Sequence, residues 1–313
     1  MSNLPLITKY RPQAFEEVFG HKSAVKALRN AIASGAQAYA FSGPSGCGKT
    51  TLARIAATKL GCTAANITEY DAATNSGAEQ MREVHRSTNF HSLAGGAQAT
   101  IIDESHGLSR QAWDSLLKAI EEPPANVYWF FCTTAVHKIP TTILTRCAHI
   151  VLKPLSKVEI EELVEAIAKE EEIDLSPQIQ QIVVAKAEGS PRQALVNLSL
   201  CCDVRDRNEA AEILQHHIDS DPAVALMRDL ARGGIKWRDA MSHVEKLNGI
   251  SPEGVRIQAL NYFAAAAQKA KNEREACFFL TLMEAFSDPY GSNDGKAQLL
   301  RSIGRCVFDA NQG

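Results

Sequence analysis

Cysteine pairs at metal-binding spacing are missing from this chain. Its eight cysteines include no C-x-x-C pair, and the adjacent Cys201 and Cys202 suit neither a zinc ribbon nor a disulfide framework. Long apolar runs are missing as well, so no segment reaches membrane-spanning length. The opening Met1-Ser2-Asn3-Leu4-Pro5-Leu6 lacks the basic start and apolar core of a secretory leader, which sets the expectation of a cytoplasmic protein with no membrane partner. Tandem repeats and low-complexity tracts are likewise absent. Charge of one sign is scarce too, the balance being 33 Lys and Arg against 36 Asp and Glu. Residues 1–150 carry 14 basic against 11 acidic side chains and the remainder 19 against 25. A surplus that small is compatible with nucleic acid meeting the first half but is no strong footprint. What remains is an ordinary globular composition of 313 residues, long enough for two or three domains.

Against these absences stands one complete motif. Gly43-Pro44-Ser45-Gly46-Cys47-Gly48-Lys49-Thr50 is a G-x-x-x-x-G-K-[ST] phosphate loop. The short apolar run Ala38–Ser42 before it suits a buried strand, and residues 51–60 behind it carry helical spacing with Gly61 placed to stop them. The glycines turn backbone N–H groups toward phosphate, Lys49 is placed to reach the β and γ oxygens, and Thr50 to ligate Mg²⁺. Ala99–His106 then reads as an apolar strand ending in Asp103 and Glu104, 54 residues beyond Lys49 at the first acid. Asp103 is expected to hold Mg²⁺ through its water shell, and Glu104 to polarise the attacking water. His106 reads as a polar residue at a strand end.

Strands are expected at 66–71, 127–132 and 150–152 besides those two. A helix is expected after Ser109, with Ala112, Trp113, Leu116, Leu117 and Ile120 at spacings of three and four and Pro123-Pro124 as its stop, and another through Arg82 and Arg86. The alternation predicts an α/β fold, a doubly wound parallel sheet with ligand at the carboxyl ends of its strands. Beyond Leu155 the pattern turns helical, with starts at Ser176-Pro177 and Ser190-Pro191 and a linker over 203–208. The alanine-rich stretch 259–267 reads as close helix packing.

Together these residues resemble the AAA+ ATPases of the clamp-loader group, such as the gamma/tau subunit of bacterial DNA polymerase III and the small subunits of replication factor C. The resemblance covers roughly residues 7–205. Thr8-Lys9-Tyr10-Arg11-Pro12, followed by Val18-Phe19-Gly20-His21, is similar to the family's K-Y-R-P and V-x-G-Q opening, which packs around adenine; His21 replaces the usual glutamine. Nucleotide contacts are therefore expected from Lys9, Tyr10, Arg11, Val18, Phe19, the loop residues Gly43 to Thr50, Thr51 and Arg192.

The resemblance implies further roles. Thr134 takes the sensor-1 place, where a polar side chain detects the γ-phosphate. Thr145-Arg146-Cys147 stands for S-R-C, whose arginine completes the ATP site of the neighbouring subunit; without the family, Arg146 reads as a solvated loop residue. Gly189-Ser190-Pro191-Arg192 matches the sensor-2 pattern. DNA contacts are implied for Ser76, Arg82, Arg86 and Arg110.

The domains expected are an AAA+ nucleotide-binding domain over 1–154, a helical lid over 155–206 and an all-helical collar over 207–313. ATP and Mg²⁺ are the implied cofactors; a sliding clamp, sister loader subunits in a pentamer and primer-template DNA are the implied partners. The four-cysteine zinc module of gamma/tau is missing, with Cys62 alone in that interval, and the compact form leaves open a viral source and a host cytoplasm. The competing readings are another DNA-remodelling or helicase-loading AAA+ ATPase, a helicase box at Asp103 to His106, which would need a second lobe, and a non-hydrolysing stator, whose expected mark is decay of the Walker residues.

Overall fold

The computed structural model describes residues 4–72, 77, 79, 81–84, 96–219, 222–247, 252–290 and 295–308. They divide into two compact units, residues 1–211 and 212–313. Five parallel strands form the sheet of the first unit: β1 (Ala38–Ser42), β2 (Cys62–Asp71), β3 (Ala97–Asp103), β4 (Val127–Thr133) and β5 (Ala148–Val151), in the order β2-β3-β4-β1-β5. Successive side chains of a strand leave on opposite faces. Phe130 and Cys132 of β4 thus join one apolar cluster, and Val127, Trp129 and Phe131 join another.

Each face is covered by helices; the spacing of apolar residues had placed those behind the phosphate loop and after Ser109, whereas the helix over Lys22–Ala33 was not expected. The helices α1 (Leu6–Lys9), α2 (Lys22–Ala33) and α3 (Lys49–Lys59) come first in the chain, and α2 and α3 bring Leu28, Leu52, Ile55 and Ala56 against Tyr39, Phe41 and Phe130. Tyr39 stacks on Phe130 with ring centroids 4.9 Å apart. On the other face α4 (Arg110–Glu121) sets Trp113, Leu116 and Ile120 against Ile102, Trp129 and Phe131. Burial on both faces is what a parallel sheet requires, and each such side chain contributes about 1.5–3 kcal/mol. Since β1 is followed by β2 at the far edge while β4 and β5 flank it, a crevice opens at the carboxyl end of β1. The phosphate loop lies there.

Helices α5 (Thr141–Leu144), α6 (Lys157–Glu170), α7 (Pro177–Lys186), α8 (Pro191–Leu200) and α9 (Arg207–Asp219) follow, the division between the units falling within α9. A capping box starts α6: Ser156 Oγ accepts from the Glu159 N–H and Glu159 Oε2 accepts from the Ser156 N–H. Ser176 and Ser190 cap α7 and α8, each with proline at the first helical position. Helices α6, α7 and α8 pack on one another.

Three local expectations are corrected. β2 begins at Cys62 rather than Asn66, through a register shift between Cys62 and Ile67; this edge strand exposes Thr63, Ala64 and Ala65, so it lacks the alternation that would have marked it. β5 runs over 148–151 rather than 150–152. The linker expected over 203–208 is shorter, because α9 begins at Arg207.

Among its described residues the second unit is helical, with α10 (Pro222–Arg232), α11 (Trp237–Glu245), α12 (Pro252–Gln268), α13 (Glu273–Ala285) and α14 (Gly295–Phe308). They share one apolar cluster that includes Leu226, Leu230, Ala259, Phe263, Phe286 and Ile303. Arg256, buried at 7% exposure, is fully engaged: its Nε and Nη2 each donate to Glu253 at 2.8 Å, and Nη1 donates to the Phe286 carbonyl at 3.0 Å. A paired, bidentate guanidinium can be buried where a lone one could not. No helix among the described residues is long and apolar enough to cross a membrane.

Candidate active site

Gly43 to Gly48 bridge β1 and α3, with Gly43, Gly46 and Gly48 at φ 152°, 72° and 101°. Space as well as conformation demands glycine at position 46, because a Cβ there would press into Ser190 Oγ and lie 3.3 Å from Arg192 Cβ. The loop therefore packs directly on the start of α8, and the Arg192 N–H reaches the Gly46 carbonyl at 3.5 Å. Gly189 brings α8 to that position: a Cβ there would meet the Leu155 carbonyl and Pro154 Cβ, both at 2.7 Å. Lys49 is 6% exposed, and its Nζ donates to the carbonyls of Gly43 at 3.0 Å and Pro44 at 2.8 Å. Lys49 and Thr50 already belong to α3, two residues ahead of the expected helix start, so their N–H groups lie at a helix N-terminus that favours anions.

β3 delivers the acids. The Thr50 Oγ1–H donates to Asp103 Oδ2 at 2.7 Å, joining the last loop residue to the first acid across two neighbouring elements. Glu104 is left-handed at φ 46°, a conformation that costs a non-glycine residue about 1–2 kcal/mol. Three bonds hold it there: its N–H donates to Asp103 Oδ1 at 2.9 Å, its carbonyl accepts from Gly107 at 2.8 Å, and buried Ser105 Oγ donates to the Cys132 carbonyl at 3.0 Å. Thr134 Oγ1 donates to Glu104 Oε2 at 3.4 Å. Burial raises the Glu104 carboxyl above its ordinary value, with Lys49 opposing the rise. Alcohol, paired acids and buried ammonium form a set suited to a metal-bound polyphosphate and a water to be activated.

Beside the loop lies a cavity of about 320 Å³, lined by Tyr10, Arg11, Val18, Phe19, Gly46, Cys47, Gly48, Thr51 and Arg192 among the expected residues. Thr8 and His21, both within the opening that resembles the adenine-packing motif, line it too, as do Ile7, Leu163 and Leu195, whose spacing in the chain carries no signal of one pocket. His21 Nε2 lies 2.9 Å from the Cys47 carbonyl, and burial lowers the imidazole below its ordinary value. Lys9 goes elsewhere. Its Nζ donates to Glu171 Oε1 at 2.5 Å, and the Tyr10 hydroxyl bonds the same carboxylate at the end of α6.

Arg146 stands apart from this cluster. It pairs with Glu121 Oε1 at 2.6 Å and donates to the Thr142 carbonyl at 2.7 Å, half-exposed just before β5. Arg110 is exposed as the first residue of α4, where Ser109 Oγ accepts from the Ala112 N–H, and Arg82 is exposed on a helical turn at 81–84. Ser76 and Arg86 lie outside the described residues.

Two family models match this chain: "DNA polymerase III, delta subunit" over residues 71–156 and "Rad17 P-loop domain" over residues 2–98. The tau subunit of DNA polymerase III from Escherichia coli is 31% identical over 286 residues, covering 83% of this chain and 44% of that one. The gamma subunit of DNA polymerase III from Buchnera aphidicola subsp. Baizongia pistaciae is 34% identical, covering 61% of this chain and 58% of that one. The chain thus spans less than half the length of the tau relatives from E. coli, Salmonella typhimurium and Bacillus subtilis. Among solved structures, the RuvB Holliday junction branch migration motor of Thermotoga maritima shares the fold with a TM-score of 0.57 at 19% identity, covering 80% of this chain and 91% of that one.

Proposed function

We propose, for a chain that is an AAA+ clamp-loader-like protein homologous to the gamma and tau subunits of DNA polymerase III, that it hydrolyses ATP as a motor subunit of a sliding-clamp loader. The observation that carries the reading is the Thr50–Asp103 hydrogen bond with Glu104 held beside it. A stator has no need of that assembly. The phosphate-loop N–H groups and Lys49 bind the triphosphate, the cavity bounded by Tyr10, Val18, Phe19 and His21 takes the base, and Thr134 and Arg192 face the phosphates from β4 and α8. Mg²⁺, held by Thr50 and through water by Asp103, would neutralise charge on the phosphates. Glu104 draws the proton from the attacking water, a task that a carboxyl raised by burial performs better near neutral pH than an ordinary one. The division into nucleotide-binding, lid and collar domains at 154 and 206 belongs to the same reading.

Register supports a role for Arg146 in a neighbouring subunit. Ala148 pairs with Tyr39, so Arg146 lies near the amino end of the sheet, while the phosphate loop leaves the carboxyl end of β1. A five-residue strand is about 17 Å long, which keeps the guanidinium from its own loop. In an assembly it would exchange Glu121 for the neighbour's phosphate. Arg146→Ala should bind ATP as tightly as the wild type, yet its assemblies should hydrolyse roughly 10²- to 10³-fold more slowly. Mixing Arg146→Ala with a Lys49→Ala partner tests this. Full turnover at every competent site would show that Arg146 completes no neighbour's site.

DNA is gripped in this reading through its phosphates and without base specificity, by Arg110 at the capped start of α4 and by Arg82, with Ser76 and Arg86 as further contacts. Arg110→Glu should weaken DNA-stimulated turnover alike on all primer-template sequences and make the log–log salt dependence shallower by about 1. The DNA-independent rate should hold. An unchanged response at low salt removes Arg110 from the DNA surface.

A further inference from the structure

His106 sits within the candidate site and has no part in the roles above. It lies on the turn after β3, which buried Ser105 fastens to the end of β4 through the Cys132 carbonyl. That fastening fixes where the imidazole lies. The side chain is 13% exposed, and its Nδ1 lies 3.2 Å from Thr133 Oγ1 and 3.3 Å from Glu104 Oε2. Thr133 is itself immobilised, being fully buried with its Oγ1 accepting the Ala135 N–H at 2.9 Å. Glu104 Oε2 receives the Thr134 hydroxyl at 3.4 Å.

An ionised carboxylate oxygen only accepts hydrogen bonds, so a ring nitrogen beside it is satisfied as the protonated, donating one. We infer that His106 is a positioning residue for Glu104: its Nδ1–H, anchored on Thr133, steadies the carboxylate against which the attacking water is activated. This role rests on the ATPase reading. Two donors, His106 and Thr134, then meet at one carboxylate oxygen, and they differ in what they can sense. Thr134 is exposed at the end of β4, where it can turn to a phosphate; His106 is held by buried Thr133 and stays. Glu104 therefore keeps an orienting partner when Thr134 is drawn away. His106 acts through Glu104 and is not itself the base.

The test compares the complete wild-type chain with His106→Ala, His106→Asn and the double variant His106→Ala/Glu104→Gln, measuring ATP affinity and single-turnover hydrolysis with loader partners and primed DNA present. An asparagine amide nitrogen can stand where Nδ1 stands. His106→Ala should keep ATP affinity within about twofold of the wild type and hydrolyse roughly 10- to 100-fold more slowly, the usual range for losing an orienting partner. His106→Asn should recover most of that loss. In the Glu104→Gln background, removing His106 should cost nothing further, since the group it orients is already gone. The inference is overturned by a wild-type rate in His106→Ala, by equal failure of the alanine and asparagine variants, or by ATP affinity falling in step with the rate. A wild-type chain that binds ATP and never hydrolyses it overturns the ATPase reading, and this role with it.

Discussion

Lys49→Ala should lose ATP binding by about two orders of magnitude or more, the scale expected when a buried, charge-assisted contact to phosphate is removed. Lys49 Nζ satisfies the Gly43 and Pro44 carbonyls at 3.0 and 2.8 Å, so the ammonium is held at the mouth of its own loop. Triphosphate offers it a stronger partner than two neutral carbonyls. The substitution removes a buried charge along with two hydrogen bonds, and a thermal melt should show the variant folded. Calorimetric titration with ATP gives the affinity. Binding at wild-type strength would mean that Lys49 remains on the loop carbonyls and that phosphate is held by backbone alone.

Glu104→Gln separates binding from chemistry. The variant should bind ATP normally and lose about 10²- to 10⁴-fold in single-turnover rate, because the amide keeps the shape of the carboxylate and cannot take the proton. A stability signature accompanies the loss. The folded Glu104 carboxyl titrates above 4.5, its ordinary value, because burial disfavours the charge. Below that value the group is protonated folded and unfolded, and it costs nothing. As pH rises through the window between the ordinary and the raised value, the unfolded chain ionises first and stability falls; above the raised value the penalty is constant. Glu104→Gln should therefore melt higher than the wild type at neutral pH, with the difference closing as pH falls below 4.5. Hydrolysis at the wild-type rate would take Glu104 out of the catalytic role.

Contiguity decided what could be read from the chain. The phosphate loop and the Asp103-Glu104 pair are adjacent residues flanked by apolar strands, and local chemistry announces them. The caps at Ser109, Ser176 and Ser190 were legible for the same reason, each a short polar side chain directly before a helix. The cavity was half legible. Its wall draws Ile7 from α1 and Leu163 and Leu195 from α6 and α8, apolar residues whose spacing speaks only of helices. Lys9 was expected at the nucleotide and instead meets Glu171, an acid 162 residues away that no local pattern connects to it. His106 read as a strand-end polar residue because its partners Thr133 and Glu104 come together only when β3 and β4 pair. β2 concealed its first half behind a register shift on an exposed edge.

ATP turnover by the purified chain, alone and with a ring-shaped clamp, primed DNA and a second loader subunit, tests the central claim most directly, with Glu104→Gln as the zero. The ATPase reading predicts slow hydrolysis by the chain alone and a several-fold rise when clamp, DNA and partner are all present. Turnover no higher than that of Glu104→Gln in every mixture would contradict it.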